Sequence, residues 1–416
     1  MLNLQIMKAI LQENRDYLKN KEVYVRPYYN TRLGELIESK NVIILQWQRR
    51  VWKSSIIVSY LKWNNVDLDK VFYINKELDL LDKISSVEEL DSLFEEYKRS
   101  FWDPEYLIID EVQDIDWWEK FIRKYNSFKK YKIIITWSNS KLLSGELSTF
   151  LTGRYLDLHI LPFSYKEFIW FKWYDSSEES FKEYIEFWWM PETLFINNDE
   201  TKKNYIKNVL SNIVLKDIVA RYNIRDIKLI EKILAYLANN TWSLVSITNI
   251  SSYLQNQFKK EYSTKTIANY LKYLEFPFIV NEVQRYDLKW KKILEYVWKY
   301  YFSDIGIRNS FWFVFSQDIA KVLENLVYLK LKQEGYTIYI GENSWTEIDF
   351  IAEKFWEKIY IQVCYLLSSP SVIEREFWNL LKIKDNYRKI VLSTDKTFWN
   401  TYEGVENINI LDFLAK

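Results

Sequence analysis

Lys53-Ser54 follows a short apolar run, Val42-Ile43-Ile44-Leu45, and precedes Ile56-Ile57-Val58. Strand, loop closing on Lys-Ser, then helix is an order that suits the phosphates of a nucleotide. Successive backbone N–H groups point at the anion, and the helix N-terminus favours negative charge. Lys53 would neutralise the β- and γ-phosphates of ATP, and Ser54 would ligate Mg²⁺. The cradle comprises Trp47, Gln48, Arg49, Arg50, Val51, Trp52, Lys53, Ser54 and Ser55. It keeps the spacing G-x-x-x-x-G-K-[ST], but Trp47 and Trp52 stand where glycine is required. Glycine serves there because φ is positive or the backbone must approach the ligand closely. A side chain in a left-handed conformation costs about 1–2 kcal/mol, and an indole would also fill the phosphate volume. The blander alternative is a buried strand followed by a charged helix start.

A second stretch supports the nucleotide reading. EYLIIDEVQDID (105–116) is an apolar strand ending in two acids. Asp110 would hold the Mg²⁺ shell, and Glu111 would polarise an attacking water; the alternative is two solvated acids at a strand end. Next, YKIIITWSNSKLL offers Ser138 and Asn139 as sensors of the γ-phosphate, or as simple turn and helix caps. Arg154, in LTGRYLDLHILPFSYKEF, is an arginine finger or sensor, or else one half of a surface ion pair.

The chain has 7 glycines and 19 tryptophans among 416 residues. Glycine ordinarily makes up about 7% of a chain, and here the two residue types together come close to that share. Many tryptophans also occupy turn positions, as in Lys289-Trp290-Lys291, Phe355-Trp356-Glu357 and Thr241-Trp242-Ser243. Three explanations compete: tryptophan-rich binding platforms, a diverged and inactive loop, or a gene in which UGA encodes glycine but is written as tryptophan. The last explains both the excess and the shortage, and gives the native loop as G-Q-R-R-V-G-K-S.

Those residues need a scaffold, and the composition bounds it. The length implies two or three domains. Net charge is zero, so no whole-molecule field favours nucleic acid or membrane. One cysteine, Cys364, and one histidine, His159, exclude disulfides and a Cys/His zinc site. A cytoplasmic location is the default expectation, with no membrane partner, since no apolar run is long enough to span a bilayer. The N-terminal stretch spaces Leu4, Met7, Ile10 and Leu11 along one helix face, which fits a packing helix better than a signal peptide.

Five short apolar runs, NVIIL (41–45), KVFYI (70–74), EYLIID (105–110), YKIIIT (131–136) and YLDLHI (155–160), alternate with amphipathic stretches. That pattern predicts an α/β fold with a parallel sheet and helical crossovers. Residues 161–235 read as mostly helical, broken at Trp188-Trp189-Met190-Pro191. Short helices and a hairpin follow in 226–290, then a helix and the strands YTIYIG, TEIDFIAE, KIYIQVCY and KIVLS.

In order, Q-x-Q-R-R-V-x-K-S, L-I-I-D-E-V-Q, I-T-x-S-N-S-K-L-L and P-F-S-Y-K-E-F resemble a large family of prokaryotic AAA-type P-loop ATPases with a C-terminal domain of unknown function. The resemblance runs on through IEFWWMPE, VLKDIVARYNIRD, YYFSDIGIRNS and YIQVCYLL. It implies glycine at 47, 52, 137, 188 and 189, whereas Trp118 reads as genuine and Trp117 as the suspect beside it. It also implies ATP and Mg²⁺ as cofactors.

STKTIANYLKYLEFPFIVNEVQRYDLKWKKI resembles a winged helix, with Thr264, Lys265 and Thr266 opening a recognition-type helix and Lys289, Lys291 and Lys292 on the wing. The alternative is a packing or protein-contact module. The basic stretch 120–132 reads as a solvated helix face. Residues 312–416 resemble a nuclease fold with Glu324 and Asp349 in its first two acidic positions. Its third strand reads Gln362-Val363-Cys364 where an acid and a lysine belong, with Lys358 and Lys382 as candidate replacements for the lysine.

The expected organisation is an N-terminal helical segment (1–40), a parallel-sheet P-loop ATPase domain with a helical extension (41–225), a winged-helix domain (226–300) and a nuclease-like α/β domain (301–416). The expected function is Mg²⁺-dependent ATP binding, with slow hydrolysis coupled to a DNA or protein partner engaged through the winged helix and C-terminal domain. The rival is a non-hydrolysing DNA- or protein-interaction module with a relic nucleotide site.

Overall fold

The computed structural model describes residues 3–47, 53–137, 151, 154–187, 190–311, 315–343, 346–395 and 401–416. The chain forms two compact units, Met1–Ile160 and Leu161–Lys416.

All five apolar runs of the first unit become strands: β1 (Val42–Trp47), β2 (Val71–Asn75), β3 (Tyr106–Asp110), β4 (Lys132–Trp137) and β5 (Tyr155–Ile160). They pair in parallel in the order β2-β3-β4-β1-β5. The reason lies in their composition. Strands of Ile, Val, Leu and Phe with no polar alternation must be covered on both faces. Because successive side chains point to opposite faces, each strand feeds two cores. Val42, Ile44, Phe72, Ile74, Leu107 and Ile109 pack in one, with Leu90, Phe94 and Phe121 of the helices α4 (Val87–Ser100) and α5 (Trp118–Asn126). Ile43, Leu45, Val71, Tyr73, Ile108 and Ile134 pack in the other, with Leu33 of α2 (Pro27–Ile37) and Ile56 and Ile57 of α3 (Lys53–Trp63). The first helix, α1 (Leu4–Asn20), contributes Ile10 and Leu11 to the first core and Leu18 to the second. Parallel pairing puts the C-terminal ends of all five strands on one edge of the sheet, where α/β sheets bind ligands.

The second unit begins with α6 (Tyr165–Lys172) and α7 (Glu178–Phe187), so the stretch expected to extend the first domain packs here. Leu161, Phe168 and Ile185 share a core with Tyr301, Val322 and Ile340. Next come α8 (Asp199–Asn212), α9 (Ile227–Asn239), α10 (Ile247–Phe258) and α11 (Thr264–Glu275), then the hairpin β6 (Val280–Asp287) and β7 (Lys292–Phe302). After α12 (Ile305–Phe311) and α13 (Phe315–Gln333), the expected strands form: β8 (Thr337–Asn343), β9 (Thr346–Lys354), β10 (Glu357–Val363) and β11 (Arg388–Ser393). The eight-stranded mixed sheet also takes in the hairpin, because β6 pairs in parallel with β8. Residue 300, drawn as a boundary in the sequence, therefore lies inside β7. Gly341 is demanded by sterics: a Cβ there would come within 2.9 Å of the Ile348 Cβ, at the irregularity where β8 meets β9. Among the described residues, no helix is long and apolar enough to cross a membrane.

Candidate functional site

Asp110 ends β3, and Ser54 lies in the first turn of α3, which follows β1. Ser54 Oγ donates to Asp110 Oδ2 at 2.7 Å, and the Tyr73 hydroxyl donates to the same oxygen at 3.1 Å. Thr136, one residue from the end of β4, donates through Oγ1 to Asp110 Oδ1 at 2.5 Å. The same Oγ1 accepts the Glu111 N–H at 2.7 Å. Asp110 and Thr136 are wholly buried. Side chains from β2, β4 and the N-terminus of α3 thus converge on the carboxylate that ends β3.

Tyr17 of α1 stacks on Tyr73, with ring centroids 6.0 Å apart and planes inclined by 5°. Its hydroxyl hydrogen-bonds with Ser54 and Tyr73, and burial pushes its pKa up to about 12. Tyr73 is raised further still, by burial first and then by Asp110. Both phenols are therefore neutral donors near neutral pH. This oxygen set fits Mg²⁺, which takes one or two protein ligands and completes its octahedron with water and phosphate oxygens.

Glu111 is buried and has a left-handed backbone, φ 59°. A non-glycine residue there costs on the order of 1–3 kcal/mol, the kind of strain that gathers at functional sites. Its Oε2 accepts from Gln113 Nε2 at 2.6 Å. Ser55 is buried beside Ser54.

Other residues named from the sequence fall elsewhere. Lys53 opens α3 and Trp47 closes β1, but only their backbones are described. Gln48, Arg49, Arg50, Val51, Trp52, Ser138 and Asn139 lie outside the described residues. Arg154 is not brought to the site. It is exposed, and its carbonyl accepts from Val42 N at the start of β1, whereas the segment leading to Lys53 follows the end of that strand. Five residue steps at ~3.3 Å each separate those ends, so Arg154 cannot serve the loop of its own chain.

The sequence reading missed Thr136, Tyr73 and Tyr17. A threonine closing an Ile-Ile-Ile strand beside the acidic strand was a readable sign of the first. The tyrosines had none, because their roles depend on how α1 packs.

In the second unit, Glu324 (α13), Asp349 (β9) and Gln362 (β10) do come together, with Gln362 Oε1 3.5 Å from the Asp349 N–H. Neither candidate lysine joins them: Lys358 pairs with Glu353 at 2.6 Å, and Lys382 is exposed over the Trp378 ring. Lys299 of β7 does, at 2.8 Å from Glu324 Oε1. Cys364 is buried, and burial raises its thiol well above the ordinary range, which makes it a poor nucleophile.

Tryptophans divide into two sets. Trp118 and Trp137 are buried against each other, with ring centroids 5.6 Å apart. By contrast, Trp117 and Trp173 have left-handed backbones, and Trp173 and Trp356 are 89% and 99% exposed.

Residues 39–169 match the AAA domain, and residues 178–318 match a domain of unknown function, DUF8612. An uncharacterized protein of Haemophilus influenzae is 30% identical over 405 residues, which are 95% of this chain and 100% of that one. An uncharacterized protein of Methanocaldococcus jannaschii is 34% identical over 370 residues, 83% of this chain and 79% of that one. Among solved structures, the Aeropyrum pernix Orc1 protein in complex with DNA overlaps 71% of this chain and 95% of its own, at 11% identity and a TM-score of 0.31, a likeness too remote to support an argument.

Proposed function

We propose a nucleotide-dependent function for this chain, which belongs to the same family as the Haemophilus influenzae and Methanocaldococcus jannaschii proteins and whose residues 39–169 match the AAA domain. In this reading it binds ATP with Mg²⁺ and hydrolyses it slowly, coupled to engagement of a partner. The observation that carries the reading is the Ser54–Asp110 contact at the C-terminal edge of the parallel sheet, directly after the Lys53 loop. Ser54 and Asp110 would hold Mg²⁺, which supplies charge neutralisation at the phosphates when bound. Thr136 and Tyr73 fix the Asp110 carboxylate, so its oxygens need little reorientation on binding. Glu111, held past the strand end by its left-handed backbone, would orient the attacking water. Arg154 would act only on a nucleotide held by a second copy.

The proposal includes glycine as the native residue at 47, 52, 117, 173, 188 and 189, specified by UGA codons; Trp137, also expected as glycine from the sequence, is instead buried against Trp118 and is left out. The left-handed backbones of Trp117 and Trp173 support it, because tryptophan has no reason to prefer that conformation and glycine has. Partner engagement would use the winged-helix-like stretch 226–300 and the nuclease-like stretch 301–416. Thr264 and Lys265 open α11 exposed to solvent, and Lys289, Lys291 and Lys292 are exposed at the hairpin tip, as a DNA or protein contact requires.

The test is direct. A chain carrying Trp47→Gly and Trp52→Gly should bind Mg-ATP in calorimetry; adding Lys53→Ala should weaken that binding, and adding Glu111→Gln should abolish turnover. The chain as written should bind little. Equal ATP affinity with and without the two glycines would overturn the nucleotide reading. Binding without turnover would favour an interaction module with a relic site. UGG codons at 47 and 52, or tryptophan in native peptide masses, would remove the recoding.

A further inference from the structure

The carboxylates of the nuclease-like stretch already hold a cation. Lys299 is 1% exposed, and its Nζ lies 2.8 Å from Glu324 Oε1, 2.6 Å from Glu347 Oε1 and 3.8 Å from Asp349 Oδ1. The remaining contacts complete the shell. Tyr301 donates its hydroxyl to Glu324 Oε1 at 2.6 Å, and the Val363 N–H donates to Asp349 Oδ2 at 2.8 Å. We propose that the Lys299 ammonium takes the place of a divalent cation in this cluster, making it a metal-independent polar core that ties β7 to α13 and β9.

A hydrolytic metal needs carboxylate oxygens at 2.0–2.1 Å around an open centre. Here the centre is an ammonium group with one donor on each of two carboxylates, and a dication placed beside it would meet like charge in a low-dielectric setting. Nor can Lys299 swing aside cheaply, since its departure would leave Glu324 and Asp349 buried without a counter-charge. Glu347 supplies a third carboxylate, but the same ammonium holds it at 2.6 Å, and Gln362 adds only a neutral amide. Burial opposes the charge on Lys299, but Glu324, Asp349 and Glu347 together outweigh it and raise its pKa.

The inference deepens the nuclease-like reading of 301–416 and rests on it only for the identity of the displaced cation; it does not depend on the nucleotide site. The test uses the full chain without nucleotide, titrated with Mn²⁺ while free Mn²⁺ is followed by electron paramagnetic resonance. Wild type and Asp349→Asn should take up the same amount of Mn²⁺. Lys299→Met should gain one Mn²⁺ per chain, and adding Asp349→Asn should remove it. Mn²⁺ held at Ser54 and Asp110 would survive Asp349→Asn and disappear with Asp110→Asn, so the two sites are told apart. With Mn²⁺ present, wild type should cleave neither single- nor double-stranded DNA. Wild-type uptake abolished by Asp349→Asn, or DNA cleavage abolished by Asp349→Ala, overturns the proposal. So does a folded Lys299→Met that gains no Mn²⁺. Where Lys299→Met melts below the assay temperature, wild type against Asp349→Asn still decides.

Discussion

Replacing Trp173 by glycine should change stability by less than about 1 kcal/mol, although it deletes the largest side chain in the code. Trp173 follows α6, and Tyr174 N bonds Ile169 O at 2.9 Å while Trp173 N bonds Trp170 O at 3.4 Å. That pair of bonds closes a helix C-terminus whose pivot is normally a left-handed glycine, and Trp173 has φ 57°. The left-handed backbone costs a side chain about 1–2 kcal/mol, partly offset because glycine loses about 0.5–1 kcal/mol more chain entropy on folding. The ring contributes little in return. With 89% of the residue exposed, only ~25 Å² is buried, about 0.6 kcal/mol at 25 cal/mol per Å². Trp173→Ala keeps the backbone strain and loses the ring, so the glycine variant should exceed the alanine variant by about 1 kcal/mol, or roughly 2–4 °C in Tm for a unit of this size. Trp118, only 5% exposed, supplies the contrast, since its replacement by glycine should cost about 3–5 kcal/mol. Urea unfolding of the four chains measures all of this. If Trp173→Gly is less stable than Trp173→Ala, the backbone there gains nothing from glycine and the recoding argument loses its structural support.

Asp304 is fully buried, donates nothing at Oδ2 to any described partner, and burial raises its pKa to about 7. The native state therefore holds a proton that the unfolded state releases near pH 4, so the contribution of Asp304 to stability is fully present below that pH and is lost as pH rises toward 7. Asp304→Asn, which can still accept the Ile307 N–H, should flatten that fall in pH-dependent melts; an unchanged slope would show that Asp304 is not its source. Tyr17→Phe, in the chain with glycine at 47 and 52, removes a hydroxyl partner of Ser54. Loss of one such bond is about 0.5–1.5 kcal/mol, so the Mg²⁺ concentration for half-maximal ATP binding should shift by roughly 2- to 10-fold. An unmoved Mg²⁺ midpoint would make Tyr17 a packing residue only.

The strands of the first unit were legible because they obey one local rule. An uninterrupted run such as Val42-Ile43-Ile44-Leu45 has no polar face, so it must be covered on both sides, and the acids that end EYLIID must then emerge at the sheet edge. Spacing alone therefore put Ser54 and Asp110 in the same place, where they meet at 2.7 Å. Arg154 was misplaced for a related reason. Its place in the sequence after β4 says nothing about which end of β5 it occupies, and parallel pairing with β1 puts it at the far edge. The hairpin 280–302 looked self-contained because its turn signals are local. Its pairing with β8, more than fifty residues on, depends on a long-range register that no short pattern encodes.

Lys299 shows the same limit in its sharpest form. In sequence it is one basic residue in an aromatic strand, Tyr296-Val297-Trp298-Lys299-Tyr300-Tyr301, with nothing to mark it from Lys358 or Lys382. A lysine within a strand is ordinarily read as pointing to water. Here it is buried because β7 brings it against α13 and β9, and the carboxylates that would repel one another if left alone become its partners. The sequence reading looked for the missing cation at Lys358 and Lys382. Electrostatics requires only that a positive charge reach the carboxylates, whichever strand carries it. Glu324 and Asp349 stay buried because a positive charge reaches them, and Lys299 supplies it.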